Sequence, residues 1–176
     1  MDNNSLPGKS LGQWMVYLAW IIFLVILTLV FKDYLDRKNN PNQNIAISYS
    51  VDADPIVTLI QNRQGHYLAT GMINSDPVTF LLDTGATLIS IPQNIAHRLR
   101  LKKGFATQSM TANGTITVFN TVLKSVSIGA ITLKNIKGTI NPYMQGDEIL
   151  LGMSFMKHLD MSQSNGQLTL KHPQKN

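Results

Sequence analysis

The segment FLLDTGATLISIP, residues 80–92, places an acidic residue directly after an apolar run. Asp83 ends this run and is followed at once by Thr84 and Gly85. Removing a carboxylate from water costs free energy unless the group is paired, hydrogen-bonded or protonated. Asp83 therefore has one of two roles: it caps a turn at a strand end, as an Asx-turn does, or it carries out chemistry.

The sequence on both sides of this segment has the pattern of a β protein. Short runs of apolar and β-branched residues alternate with turn residues, and Asn-Gly pairs at 113–114 and 165–166 predict two hairpins. Strands are predicted at 56–60, 66–73, 78–83, 88–91, 106–112, 115–128, 131–140, 148–152, 161–164 and 167–171. Two brief helical segments interrupt them. This pattern predicts a small all-β barrel or sandwich with one or two short helices.

Three motifs together resemble the retropepsin-like aspartic proteases. They are LLDTGAT at 81–87, TANGT at 111–115 and LLGMSF at 150–155. The sequence most closely resembles the bacterial single-lobe members that carry an N-terminal membrane anchor. This resemblance implies a retropepsin-like acid protease barrel over residues 55–172, followed by a short C-terminal tail, 173–176.

The resemblance also implies an aspartic endopeptidase that hydrolyses peptide bonds in a protein or peptide substrate and needs no cofactor or metal. Asp83, Thr84 and Gly85 would be its catalytic residues, and two Asp83 carboxylates would share one proton. Because the chain has a single Asp-Thr-Gly, this pair requires a homodimer. Thr84 would hydrogen-bond across the two-fold axis, and Gly85 would provide the close approach and dihedral angles of a tight loop. The substrate-binding residues would be Ala86 and the flap residues Thr111, Ala112, Asn113 and Gly114.

Two positions depart from the retroviral members of this group. Those enzymes commonly carry an Asp and an Arg that pair with each other, where this chain has Thr87 and Met153. Both partners are absent together, which leaves no buried charge unpaired. The retroviral dimer geometry is therefore not implied for this chain.

The N-terminal region predicts a single-pass membrane anchor. Residues 14–31 are apolar and uncharged, and as a helix they span roughly 27 Å, close to the hydrocarbon thickness of a bilayer. A cleaved signal peptide is the alternative, but the next residues lack a small-residue cleavage pattern. Residues 1–13 would form a cytoplasmic tail and residues 32–54 a flexible linker. The resemblance implies a bacterial inner membrane with the protease domain in the periplasm, whereas the Lys/Arg count alone places the C-terminal side in the cytoplasm.

Composition excludes several other functions. The 15 Lys and Arg residues, which give a net charge of +5, are scattered without interleaved aromatics, so no nucleic-acid surface is predicted. The chain has no cysteine, and its four histidines lack ligand spacing. One further alternative stays open, in which the retropepsin-like fold serves as a catalytically silent binding or dimerisation module.

Overall fold

The computed structural model describes residues 8–50, 54–111 and 114–173. The chain divides into two compact units, of which one ends at Lys38 and the other begins at Asn39. The first unit is a single helix, and the second is a β domain with a hydrophobic core of its own.

Helix α1, Gly8–Asn39, is 32 residues long. Its side chains at positions 12–32 are exposed and almost all apolar. The helix is long and apolar enough to cross a membrane, although a signal sequence near the N-terminus passes the same test of length and composition. It continues beyond the predicted span of 14–31 because no Gly or Pro follows within it. Pro41 then disfavours helical geometry at Asn40 and ends the helix.

Part of the predicted linker, residues 32–54, is built into the β domain, which differs from the flexible segment expected from sequence. Asn42 is only 2 % exposed. Its Nδ2 donates to the carbonyls of Ile60, at 2.8 Å, and Leu68, at 2.6 Å, while its Oδ1 accepts from the Ile60 N–H at 2.6 Å. The amide thus joins two strand ends, because one Asn side chain supplies both donors and an acceptor. Residues 46–49 then form an edge strand.

The described part of the domain contains eleven strands and two short helices. The strands are β1 Ala46–Tyr49, β2 Pro55–Ile60, β3 Leu68–Ile73, β4 Asp76–Leu82, β5 Ile89–Pro92, β6 Ala106–Thr111, β7 Gly114–Ile128, β8 Ile131–Asn141, β9 Glu148–Leu151, β10 Asp160–Ser164 and β11 Gln167–Lys171. The helices are α2 Gln93–Arg98 and α3 Met153–Met156. This content confirms the predicted all-β class with short helices.

The strands form two sheets. One has four strands in the order β1-β2-β11-β10, and the other has seven in the order β3-β4-β9-β5-β8-β7-β6. An additional pairing of β3 with β7 brings the larger sheet back on itself. Strand β9 lies between β4, to which it runs parallel, and β5, to which it is antiparallel. The strand that precedes Asp83 is therefore held next to the strand of the LLGMSF motif.

Tight turns with positive φ connect the antiparallel neighbours. Asn165 and Gly166, with φ of 49° and 73°, join β10 to β11, which confirms the hairpin predicted there. Asn74 and Ser75, with φ of 50° and 74°, join β3 to β4 in the same way. Turns with positive φ at both central positions match the right-handed twist of the flanking strands.

The core contains side chains from both sheets and fixes the position of the motif segments. Phe80 on β4, Ile89 on β5 and Ile149 on β9 are fully buried neighbours in one apolar cluster. Strands β4 and β9 pair through Phe80↔Ile149 and Leu82↔Leu151. Since these side chains interlock from both strands, a shift of register would remove apolar groups from the core. The loop after β4 is therefore held at a fixed place.

Candidate active site

Asp83 lies at the point where β4 leaves the sheet. Its backbone N–H donates to the carbonyl of Leu151 at 3.2 Å, which extends the parallel pairing of β4 with β9 by one step. Asp83 itself is half-buried, whereas Thr84 and Gly85 are exposed. The carboxylate thus stands at the border of the apolar core, where it keeps contact with solvent.

The Asp83 side chain organises its own loop. Oδ1 accepts the backbone N–H of Gly85 at 2.8 Å, and the Asp83 carbonyl accepts the N–H of Ala86 at 3.2 Å. This is Asx-turn geometry, the structural role that the sequence left open for Asp83. Among the described residues, no other donor is found on this carboxylate. Within the described ranges, one of its two oxygens therefore has no protein partner.

Crowding accounts for the glycine at position 85. A Cβ there would lie 3.2 Å from Oδ1 of Asp83. Gly85 is not one of the described glycines with positive φ, so the loop does not require left-handed geometry at this position. The expected close approach to the Gly85 backbone is present, as the Asp83 carboxylate shows, whereas a positive φ at Gly85 is not.

The LLGMSF motif is hydrogen-bonded to the loop that follows Asp83. The N–H groups of Met153 and Ser154 donate to the carbonyls of Ala86, at 2.7 Å, and Thr87, at 2.9 Å. A Cβ on Gly152 would lie 2.4 Å from the carbonyl oxygen of Leu88, a distance that real structures do not show. Main-chain hydrogen bonds thus join residues 86 and 87 to residues 153 and 154, a region that includes Thr87 and Met153, the two positions at which the sequence departs from the retroviral enzymes.

The side chain of Ser154 is a functional contact that sequence reasoning missed. This serine is 9 % exposed, and its hydroxyl accepts the N–H of Ile89 at 3.1 Å while donating to the carbonyl of Lys137 at 2.8 Å. It therefore ties α3 to both β5 and β8. No local pattern signals these contacts, because both partners of Ser154 are far away in sequence.

Asp83 and Thr84 line a cleft of about 350 Å³. Its other lining residues are Tyr67, Leu82, Met156, Met161, Gln163 and Leu168. The Tyr67 hydroxyl is the one buried side-chain polar atom without a hydrogen-bond partner among the described residues. The cleft therefore combines one carboxylate, one buried phenol and one side-chain amide with apolar side chains, and its surface is polar and apolar in about equal parts.

The hairpin predicted as a flap from TANGT is present and is formed by β6 and β7, while its role as a flap stays a prediction. Thr111 pairs with Gly114, whose carbonyl accepts the Thr111 hydroxyl at 2.8 Å, and Gly114 has φ of 111°. Ala112 and Asn113 lie outside the described residues. Neither Thr111 nor Gly114 lines the Asp83 cleft. Asp83 and Thr84 thus both line the cleft, with Gly85 and Ala86 in the adjoining loop, and of the four predicted flap residues only Thr111 and Gly114 are described.

No group of three or more His, Asp or Glu side chains that could hold a metal ion is found within residues 8–50, 54–111 and 114–173. The expectation that the site needs no metal stays a prediction.

Comparison with known proteins identifies the class to which this site belongs. A sequence model of the family described as "gag-polyprotein putative aspartyl protease" matches residues 69–158, which is more than half of the chain. The chain belongs to this family. The match covers the Asp83 loop, the flap hairpin and the LLGMSF motif together.

Two curated relatives are similar along most of their length. An uncharacterized protein from a Sinorhizobium species is 29 % identical over 166 residues, which cover 89 % of this chain and 70 % of the relative. An uncharacterized protein of Rickettsia prowazekii (strain Madrid E) is 30 % identical over 163 residues, which cover 88 % and 69 %. Both alignments extend well beyond the β domain of this chain.

A solved structure confirms the predicted fold family. The crystal structure of a retropepsin-like aspartic protease from Rickettsia conorii matches with a TM-score of 0.54 and 25 % identity, over 73 % of this chain and 95 % of the solved one. The β domain is therefore retropepsin-like, as the three motifs indicated.

Proposed function

We propose that this chain is a membrane-anchored aspartic endopeptidase that works as a homodimer. The observation that carries the proposal is the position of Asp83, which lies in the wall of a cleft at the end of β4, within the Asp-Thr-Gly of an aspartyl protease family. Such chemistry requires a carboxylate oxygen that can bind water, and the second oxygen of Asp83 has no partner among the described residues. The substrate is an extended stretch of protein or peptide.

The mechanism uses two Asp83 carboxylates, one from each protomer, that share a single proton. The ionised carboxylate takes a proton from a water molecule, and the water oxygen attacks the carbonyl carbon of the peptide bond. The protonated carboxyl donates its proton to the carbonyl oxygen. The C–N bond then breaks as the amine nitrogen receives a proton, and no covalent bond to the enzyme forms.

The homodimer follows from the count of catalytic acids. One chain has one Asp-Thr-Gly, and a two-fold axis beside the Asp83 loop gives the missing carboxylate. Thr84 is exposed at this loop and is available to hydrogen-bond with the partner chain. The Asp83–Gly85 hydrogen bond supports this role, because it holds one carboxylate oxygen in place and leaves the other for the partner and the water.

The membrane anchor is helix α1, whose exposed apolar surface has no other cover in the described residues. Its insertion into the bacterial inner membrane, with the domain in the periplasm, would confine two chains to one plane. Confinement raises their effective concentration and favours the dimer. Enzyme fusions to the C-terminus test the orientation: a reporter that is active only in the cytoplasm would contradict the periplasmic placement.

A second function is favoured by one observation. Asp83 forms an Asx-turn, so it stabilises its own loop even in a chain that has no catalytic turnover. In that case, the domain is a silent module that binds or dimerises.

Asp83→Asn separates the two functions. Asn keeps an oxygen that accepts the Gly85 N–H, so the loop and fold are retained while the shared proton is lost. The endopeptidase predicts that turnover of a peptide library by the full chain in lipid nanodiscs disappears in this variant. Asp76→Asn is the matched control, because Asp76 is exposed at the opposite end of the same strand. Equal turnover in wild type and Asp83→Asn would remove the protease proposal, and no turnover in either would leave the silent module.

A further inference from the structure

An open cavity of about 590 Å³ lies under the loop that follows α2, against the middle of β7. It shares no residue with the Asp83 cleft. Its lining residues are Asn74, Leu99, Arg100, Leu101, Lys102, Lys103, Gly104, Phe105, Asn120, Thr121, Val122 and Lys124. We call it the basic cavity, and nothing in the proposed reaction uses it.

The basic cavity has four cationic side chains and no carboxylate. Arg100, Lys102, Lys103 and Lys124 line it, and no Asp or Glu does. The one polar partner found for these four is neutral: Lys103 Nζ lies 3.0 Å from Oε1 of Gln93, and it also sits over the Phe119 ring at 4.5 Å. Such a concentration of one charge favours a ligand or surface with several negative charges.

Large apolar side chains stand exposed among these cations. Phe105 is 76 % exposed and Val122 is 62 % exposed. A solvated charged face does not need an aromatic side chain at its centre. An exposed aromatic residue among Lys and Arg is, however, the composition of protein surfaces that enter the headgroup region of a bilayer.

The backbone holds this loop in a defined position. The Gly104 N–H donates to the carbonyl of Asn120 at 2.7 Å, and the Asn120 N–H donates to the carbonyl of Phe105 at 3.1 Å. A Cβ on Gly104 would lie 2.8 Å from the Asn120 oxygen, so a larger residue would separate the loop from β7. Arg100 has φ of 52°, a left-handed conformation that costs a non-glycine residue free energy. These main-chain contacts therefore fix the loop, and with it the side chains that line the basic cavity, against β7.

We propose that the basic cavity is a docking surface for anionic lipid headgroups. The inference rests on the proposed membrane anchoring by α1, which would keep a bilayer at high local concentration near the domain. Phosphate groups would contact the four cations, and Phe105 and Val122 would enter the headgroup region. Because Phe105 leads directly into β6, docking would also fix the base of the flap hairpin.

The absence of cysteine allows a clean test on the full chain. Val122→Cys is labelled with a polarity-sensitive fluorophore, and the chain is reconstituted in vesicles of phosphatidylcholine alone or mixed with phosphatidylglycerol. We expect a blue shift in the anionic vesicles only, and its loss at high salt. The same label at Tyr143→Cys, an exposed position outside the cavity, is expected to show no shift. Equal shifts at both positions would indicate tethering alone and overturn the proposal.

A double charge-neutralising variant measures the electrostatic part. At about 1 kcal/mol per cation near an anionic surface, Lys102→Gln/Lys103→Gln is expected to lower the ratio of docked to free domain about 30-fold. Lys134→Gln/Lys157→Gln changes the net charge equally on exposed residues outside the cavity and is expected to leave the ratio unchanged. A fluorescence shift that is unchanged by salt and by both double variants would rule out recognition of the anionic headgroup. Binding of an acidic protein, without any response to lipid, would show that the basic cavity docks a protein and would overturn the lipid proposal.

Alkaline extraction of the same vesicles separates the two proposals. If the chain is extracted from the bilayer, the membrane anchoring fails and the docking proposal fails with it. If the chain stays in the bilayer and the label at position 122 does not respond, the docking proposal alone is overturned. The comparison of wild type with Asp83→Asn tests the protease proposal separately from both results.

Discussion

The hydroxyl of Ser154 accepts a hydrogen bond from the backbone N–H of Ile89, which lies 65 positions earlier in the chain. The same hydroxyl donates to the carbonyl of Lys137 at 2.8 Å. These two bonds hold α3, which follows strand β9, against strands β5 and β8. The bond to Ile89 holds the start of the strand that follows the Asp83 loop, and Ser154 itself does not line the cleft.

We predict that Ser154→Ala destabilises the β domain. The change leaves the buried N–H of Ile89 and the carbonyl of Lys137 without this partner, and an unsatisfied buried group costs about 1–3 kcal/mol. Urea unfolding of the full chain in detergent, followed by far-UV circular dichroism of the β signal, measures the free energy of unfolding. Ser162→Ala on exposed β10 is the control and is expected to change this free energy by less than about 0.5 kcal/mol. Equal stability of the two variants would show that the buried hydroxyl bonds contribute nothing.

Ser154 also shows where sequence reasoning stops. The hairpin at Asn165-Gly166 and the Asp83 loop were predictable, because local residue types determine turns and the motif is continuous. The sequence identified Ser154 only as part of a motif, since its partners come from β5 and β8 and depend on the finished topology. A hydrogen bond that spans 65 positions leaves no local pattern.

The N-terminal boundary of the domain could not be predicted for a related reason. An Asn/Pro-rich segment has the composition of a flexible linker. In the structure, one member of that segment, Asn42, is buried because its side chain satisfies the ends of β2 and β3. Composition describes the average behaviour of such a segment, whereas this single contact depends on strands that follow later in the chain.

The proposed proton sharing predicts a bell-shaped dependence of kcat/KM on pH. At low pH both Asp83 carboxyls are protonated and no base remains, and at high pH both are ionised and no acid remains. On the alkaline side, loss of the one shared proton is expected to lower kcat/KM about tenfold per pH unit. Initial rates on a fluorogenic peptide across acidic to alkaline buffers measure this profile. A rate that stays constant into alkaline conditions would contradict the dyad, and circular dichroism at each pH controls for unfolding.

Mixing experiments test whether the second carboxylate comes from a second chain. Wild-type chain and Asp83→Asn are co-reconstituted in equal amounts at constant total protein, so that random pairing leaves roughly a quarter of the dimers with two Asp83 carboxylates. Turnover is therefore expected to fall to about a quarter of that of undiluted wild type. A fall to only half would mean that single chains are active. Asp76→Asn, mixed in the same proportion, controls for the reconstitution and is expected to leave turnover unchanged.

The buried phenol of the cleft predicts an unusual stability change. Tyr67 is 7 % exposed, and its hydroxyl has no hydrogen-bond partner among the described residues. Tyr67→Phe keeps the ring in the core and removes the unsatisfied group, so the free energy of unfolding is expected to rise by about 1 kcal/mol. The measurement uses urea unfolding of dilute chain in detergent, where dimers are disfavoured. Tyr49→Phe, at an exposed position on edge strand β1, is the matched control and is expected to be neutral.

A decrease in the free energy of unfolding in Tyr67→Phe would indicate that the hydroxyl has a hydrogen-bond partner. If Tyr67→Phe lowers the free energy of unfolding, the hydroxyl has a partner in solution, and the cleft beside Asp83 is filled by a second chain or by ordered water. Repeating the measurement at increasing protein concentration decides between these two partners. A destabilisation that grows with concentration identifies the second chain, because only a dimer contact depends on mass action. A destabilisation that is constant across concentrations identifies water within the single chain.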